Sequence, residues 1–132
     1  MAVIEGKIRG NSAFNLLVPT RWEFADFGNN AIQVCNIMGS FMVSLKKNGL
    51  NTTEQDEAAL IALMSEKYNG TQVERVEFKG INWFKIVFDA SGFHQSLFTA
   101  IKDGRKISIQ LAGPDHESNE IIQAIFNSIE IL

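Results

Sequence analysis

The chain carries a single cysteine, Cys35, so no disulfide can close within it. It lies in a strand-like run, and free cysteine is among the most buried residue types, so it reads first as a small apolar core residue. Histidine is almost as scarce: His94 and His116 are the two imidazoles available for acid–base or nucleophilic work. No apolar run approaches the roughly 20 residues of a membrane helix. Residues 1–10 lack the basic start and apolar stretch of a signal peptide, which leads to the expectation of a cytoplasmic protein, or an exported one if a leader has been removed. Positive charge is not in surplus either. Lys and Arg number 12 against 15 Asp and Glu, a net charge of −3, and a nucleic-acid binder usually shows a basic excess. Gly-rich phosphate loops, linkers, repeats and low-complexity tracts are absent. Asn51-Thr52-Thr53 and Asn69-Gly70-Thr71 match the glycosylation acceptor pattern, but such triplets are common by chance and no secretion signal accompanies them.

What is present is a 132-residue chain, 45% hydrophobic and 20% charged. That is one ordinary domain, residues 1–132, with enough apolar material for a sizeable core. Its centre is the stretch from Thr71 to Gly113. Four strand-like runs, Thr71–Lys79, Asn82–Asp89, His94–Lys102 and Arg105–Ala112, are separated by Gly80, Ser91–Gly92 and Asp103–Gly104. Asp-Gly between alternating runs is a strong hairpin signal, because both central turn residues need positive φ. A two-residue turn there pairs Lys102 with Arg105, Ala100 with Ile107 and Phe98 with Ile109. The preceding turn pairs Asp89 with His94, Val87 with Ser96 and Trp83 with Ala100. Paired residues share a face. One face then carries Trp83, Val87, Phe98, Ile107 and Ile109, the other Phe84, Ile86, Phe88, Leu97 and Ile101. Both are apolar, so the meander needs cover on both sides.

The remaining chain is read around it. Val3–Arg9 alternates weakly, as an edge strand would. Phe14–Val18 is a second strand, stopped by Pro19. Trp22, Phe24 and Phe27 follow in a segment without clear period. Ala31–Met38 and Phe41–Lys47 read as a hairpin about Gly39–Ser40, with Met38 opposite Phe41. Thr52 and Gln55 fit a capping box, and Glu54, Asp56 and Glu57 suit the positive end of a helix whose apolar positions include Ile61, Met64 and Tyr68. Asn69–Gly70 ends it. After Gly113–Pro114, Asp115 or Ser118 is expected to cap a last helix with the stripe Ile121, Ile122, Ile125, Phe126 and Ile129. Two amphipathic helices and a two-faced sheet predict an α+β fold. It has a central antiparallel sheet of about six strands with helices packed on both faces.

The run Phe14-Asn15-Leu16-Leu17-Val18-Pro19-Thr20-Arg21-Trp22 resembles the opening of the PsbP-like superfamily. That group includes the photosystem PsbP proteins, the Ran-binding import factor Mog, DcrB-type lipoproteins and the Eag chaperones of type VI secretion. The Gly80-Ile81-Asn82-Trp83-Phe84-Lys85 run, the Asp-Gly hairpin and the final amphipathic helix are similar too, so the resemblance spans roughly Phe14 to Leu132. It implies a central antiparallel sheet flanked by helices and an accessory or binding role, since the known members are not enzymes. It transfers no functional residue onto this chain.

Chemistry-bearing patterns are few. Cys35 with either histidine has no local signature of a nucleophilic pair. Asp115-His116-Glu117 offers metal-ligand atoms, but consecutive helical residues point apart, so a capped acidic helix start is expected instead. Lys102, Arg105 and Lys106 make a basic hairpin tip without interleaved aromatics, which reads as a solvated turn. No cofactor, metal or catalytic group is expected. Trp22, Phe24 and Phe27 lie outside clear secondary structure, and Phe93 is at a turn. Loop aromatics serve as interface anchors or as lids over sheet ends, and Trp22 is read as a lid. The expectation is that one helix per face leaves part of the sheet bare, with an exposed aromatic flanking an apolar groove there. The chain is therefore read as a non-catalytic module that binds a protein partner or itself, without nucleic acid. The alternatives are a carrier of a small apolar ligand between sheet and helix, and, last, a Cys- or His-dependent enzyme.

Overall fold

The computed structural model describes residues 4–49, 57–68, 72–90 and 92–132. The expected Thr52–Gln55 capping box, the acidic Glu54 and Asp56, the Asn69–Gly70 stop, both glycosylation triplets and Ser91 of one hairpin turn fall outside them in whole or in part. Among the described residues there are ten strands and two helices. In chain order they are β1 (Gly6–Gly10), β2 (Phe14–Pro19), β3 (Glu23–Gly28), β4 (Ala31–Cys35), β5 (Met42–Gly49), α1 (Glu57–Tyr68), β6 (Glu74–Phe78), β7 (Ile81–Ala90), β8 (Phe93–Lys102), β9 (Arg105–Ala112), α2 (Glu120–Ser128) and β10 (Glu130–Ile131). No described helix is long and apolar enough to cross a membrane.

The meander forms as its turns dictate. Lys102 pairs with Arg105, Ala100 with Ile107, Phe98 with Ile109, and Asp89 with His94. Asp103 and Gly104 hold φ of 53° and 71°, the two positive values a twist-matched hairpin turn requires. Lys79 and Gly80 turn β6 into β7 the same way, at 54° and 72°. The meander extends into a seven-stranded antiparallel sheet of order β3-β4-β5-β9-β8-β7-β6. A second sheet, β1-β2-β10, has three strands.

The pleat sorts the large sheet into two faces. The inner face carries Ile32, Val34, Val43, Leu45, Trp83, Phe98, Ile107 and Ile109. It packs with Phe14, Leu16 and Val18 of β2 and with Ile122 and Ile125 of α2 in one cluster. The outer face carries Phe84, Ile86, Phe88 and Leu97 in a separate cluster with Leu60 and Met64 of α1. The anticipated arrangement of about six strands under helices was too simple. The inner face is closed by the small sheet together with α2, because the alternation of β2 presents its own row of buried side chains.

Three local expectations are corrected. Trp22 to Asn30 is not an irregular segment, since Glu23–Gly28 is a strand. It is an edge strand pairing with β4 alone, with a bulge between Asp26 and Gly28, so its alternation is blurred. The β4–β5 hairpin pairs Cys35 with Met42 rather than Met38 with Phe41. Asn36 ends β4 early: its Oδ1 accepts from the Phe41 N–H at 3.1 Å and its Nδ2 donates to Ser40 Oγ at 2.9 Å. The same faces nevertheless stay inward, because the shift is even. Finally, neither Asp115 nor Ser118 caps the last helix. Asn119 does, its Oδ1 accepting from the N–H groups of Ile121 and Ile122, each at 3.0 Å. Ile129 lies beyond the helix, and the chain then adds β10 to β2.

Candidate functional site

On the outer face, α1 lies over the β7–β8 part of the sheet. Toward β5 and β9 the same face turns polar. Ser44, Lys46 and Asn48 alternate along β5, and Lys106, Ser108 and Gln110 along β9. These residues floor a groove of about 320 Å³ between Leu63 and Lys67 of α1 on one side and Phe27 on the other. Three lysines, Lys46, Lys67 and Lys106, line it, and no carboxylate does among the described residues.

The four aromatics singled out from sequence do not form one patch. Phe27 is 63% exposed and borders this groove. Trp22 and Phe24 are half-buried against the inner core, the Arg9 guanidinium sitting 4.8 Å from the centre of the Phe24 ring. Phe93 opens β8 opposite Ala90, at the β7–β8 hairpin, and is 39% exposed. The groove is also mixed in character rather than apolar. Its signal was legible in two polar alternations, Ser-x-Lys-x-Asn in β5 and Lys-x-Ser-x-Gln in β9.

The inner face holds a second constellation that the sequence reading left scattered. His94 and Ser96 project from β8 on the inner side. Gly113, at φ 132°, turns the chain after β9, and its N–H donates to the His94 carbonyl at 3.0 Å. A side chain on Gly113 would collide with the Phe41 ring and the Ser40 carbonyl oxygen. The turn brings His116 back over Ser96, fully buried, not into the first turn of a helix as expected. His116 Nδ1 donates to the Gly113 carbonyl at 3.0 Å, which leaves Nε2 to accept from the Ser96 hydroxyl at 2.7 Å. His94 Nδ1 donates to Asp89 at 2.8 Å and its Nε2 faces Glu117 at 2.9 Å. The rings of His94 and His116 are 5.0 Å apart. Glu117 and then Asp89 hold the His94 imidazole above its ordinary pKa. Partial burial pushes Glu117 upward, but hydrogen bonding to His94 and its own backbone outweighs this and leaves the carboxyl below the usual range. A pocket of about 240 Å³ beside α2 opens onto Ser96, His116 and Glu117.

A serine hydroxyl against an imidazole is the pair nucleophilic catalysis uses, but this one is poorly placed for it. Ser96 is 1% exposed. It sits in a strand whose backbone is engaged by β7 and β9 on both sides, so the neighbouring N–H groups are committed to the ladder rather than to an oxyanion. Cys35, half-buried on the outer side of β4, is not among the partners of either imidazole.

The architecture is a PsbP-like fold. The chain is similar to cyanobacterial PsbP (CyanoP) from Synechocystis sp. PCC 6803, with a TM-score of 0.65 and 9% identity over 99% of this chain and 95% of that one. A crystal structure from Bacteroides thetaiotaomicron VPI-5482 superposes on 96% of the chain with a TM-score of 0.61 and 13% identity, and the chain spans 48% of that protein's length. No protein-family model and no curated protein sequence matches.

Proposed function

We propose that this chain is a non-catalytic binding or accessory module that holds an acidic segment of a protein partner in the outer-face groove. One observation carries the reading. Among the described residues, the β5–β9 part of the outer face has a groove lined by Lys46, Lys67 and Lys106 beside the exposed Phe27. Charge complementarity favours an acidic occupant, and Phe27 supplies the apolar anchor that interfaces concentrate at their centres. The PsbP-like fold supports an accessory role, as the resemblance implies. The buried position of Ser96 and the separation of Cys35 from both imidazoles support the absence of catalysis. A carrier of small apolar ligands fits less well, since the groove floor is polar and the inner face is filled by Trp83, Phe98 and Phe14.

The test uses the full chain as bait in extract of the source organism, with Phe27→Ala and Lys46→Glu baits alongside. A partner captured by the wild type is purified and titrated against all three. Affinity should fall at least about 10-fold in each variant, as removal of an interface anchor or a steering charge does, while the melting temperature stays within about 2 °C. Equal affinity for all three would overturn the groove assignment. Dimerisation lost in the same variants, seen by sedimentation, would replace the heterologous partner with a second copy of the chain.

A further inference from the structure

We infer that His94, His116 and Glu117 form a binding site for a divalent transition-metal ion, zinc by ligand chemistry, at the mouth of the inner-face pocket. The donors come from two chain segments, β8 and the turn before α2, that the Gly113 bend brings together. Their ligand atoms lie within 4.8 Å of one another. One carboxylate oxygen of Glu117 lies 2.9 Å from His94 Nε2 and 3.6 Å from His116 Nε2.

The orientation of the rings points to metal more specifically than their proximity does. Metal-bound histidine nearly always donates its other ring N–H to a carboxylate or a backbone carbonyl, which fixes the tautomer and aims the free nitrogen. Both arrangements are present. Asp89 accepts from Nδ1 of His94 at 2.8 Å, and the Gly113 carbonyl accepts from Nδ1 of His116 at 3.0 Å. His94 Nε2 therefore faces the Glu117 carboxylate, and His116 Nε2, which accepts from Ser96, lies 3.6 Å from the same carboxylate. A four-coordinate zinc with bonds of about 2.0–2.1 Å separates its ligand atoms by about 3.4 Å. Reaching that spacing requires the widest donor pair to close by about 1.4 Å and the His94–Glu117 pair to open by about 0.5 Å, which the partly exposed His94 and Glu117 side chains can supply by rotation while His116 stays fixed. The ion takes the place of the His94 Nε2 proton, which leaves to solvent, and the Ser96 hydroxyl gives up His116 Nε2. Two imidazoles and one carboxylate favour zinc-like ions over calcium or magnesium, which prefer all-oxygen sets. The pocket that His116 and Glu117 line is also lined by Lys85 and Gln123.

The alternative is a hydrogen-bonded network with no affinity for metal, and titration separates the two. Full-length protein stripped with chelator is titrated calorimetrically with Zn²⁺, and with Co²⁺ while its visible d–d bands are followed. The wild type should bind one ion, with Kd of about 1 μM or tighter. The d–d bands should have the intensity of a four- or five-coordinate site. His94→Ala and Glu117→Gln should each weaken binding more than about 100-fold, and Asp89→Asn about 10–100-fold, as loss of an orienting partner does. These three positions are at least partly exposed, so the variants should fold, which near-UV circular dichroism checks. Failure of the wild type to bind saturably would overturn the inference, and so would folded His94→Ala and Glu117→Gln variants that bind like the wild type.

Discussion

Trp83 is fully buried, and its indole N–H donates to the Phe78 carbonyl at 3.0 Å, tying the two strands of the β6–β7 hairpin together from the side. Trp83→Phe would remove that bond and leave a gap in the inner core beside Phe78. It should destabilise the protein by about 2–4 kcal/mol in urea unfolding. Met38, 86% exposed on the β4–β5 loop, should tolerate alanine within about 0.5 kcal/mol. A Trp83→Phe cost as small as that of Met38→Ala would mean the indole is not the anchor described. His94 makes a pH prediction. Its folded pKa is raised, chiefly by Glu117 and then by Asp89, from an ordinary 6.5. The folded state then binds the proton more tightly than the unfolded one. The stabilisation is complete below the unfolded value and is lost as pH climbs through the raised folded value. In metal-free protein, the urea midpoint of the wild type should exceed that of His94→Gln most near about pH 6, and the gap should narrow toward about pH 9. A constant gap would show that His94 contributes by packing alone.

Elements were legible in the sequence wherever turn chemistry and alternation agreed. The Asp103–Gly104 turn fixed the register of β8 on β9, and from that register the two faces of the meander followed. Legibility failed where one signal had to act alone. Edge strand β3 is exposed along most of its length, so nothing enforces a period of two. In β4 the polar Asn36 side chain ends the strand before the Gly39–Ser40 dipeptide can act. The start of α2 was misplaced by several residues because Asp115, Ser118 and Asn119 are all capping types, and only the fold decides among them. That misplacement hid the imidazole cluster: a helical His116 points away from Glu117, whereas a turn brings the two together. The reassigned cap is testable. Asn119→Ala should cost about 1 kcal/mol, whereas Ser118→Ala, whose hydroxyl donates to the exposed Asp115 carbonyl, should cost less than about 0.5 kcal/mol. Equal costs would return the cap to Ser118.

At the scale of the whole molecule, the asymmetry of the seven-stranded sheet is what recognition can use. Away from the pocket beside His116 and Glu117, its inner face is consumed by packing against the small sheet and α2. Its outer face is apolar under α1 and polar beside it, and the change runs strand by strand: Ile86 and Leu97 are buried, while Ser108, Gln110 and Ser44 are only partly so. Polar side chains at alternate positions of interior strands are costly to bury without partners; Gln110 donates to Gln95, and Ser44 and Ser108 stay partly exposed. The most direct measurement is an amide chemical-shift map of the isotope-labelled protein, titrated with the partner purified through the wild-type bait. The largest shifts should fall on Phe27, on Ser44 to Asn48 and on Lys106 to Gln110, with Phe93 and the β1 edge unchanged. Shifts confined to the β7–β8 hairpin around Phe93, or to β1, with the groove residues unmoved, would contradict the groove assignment.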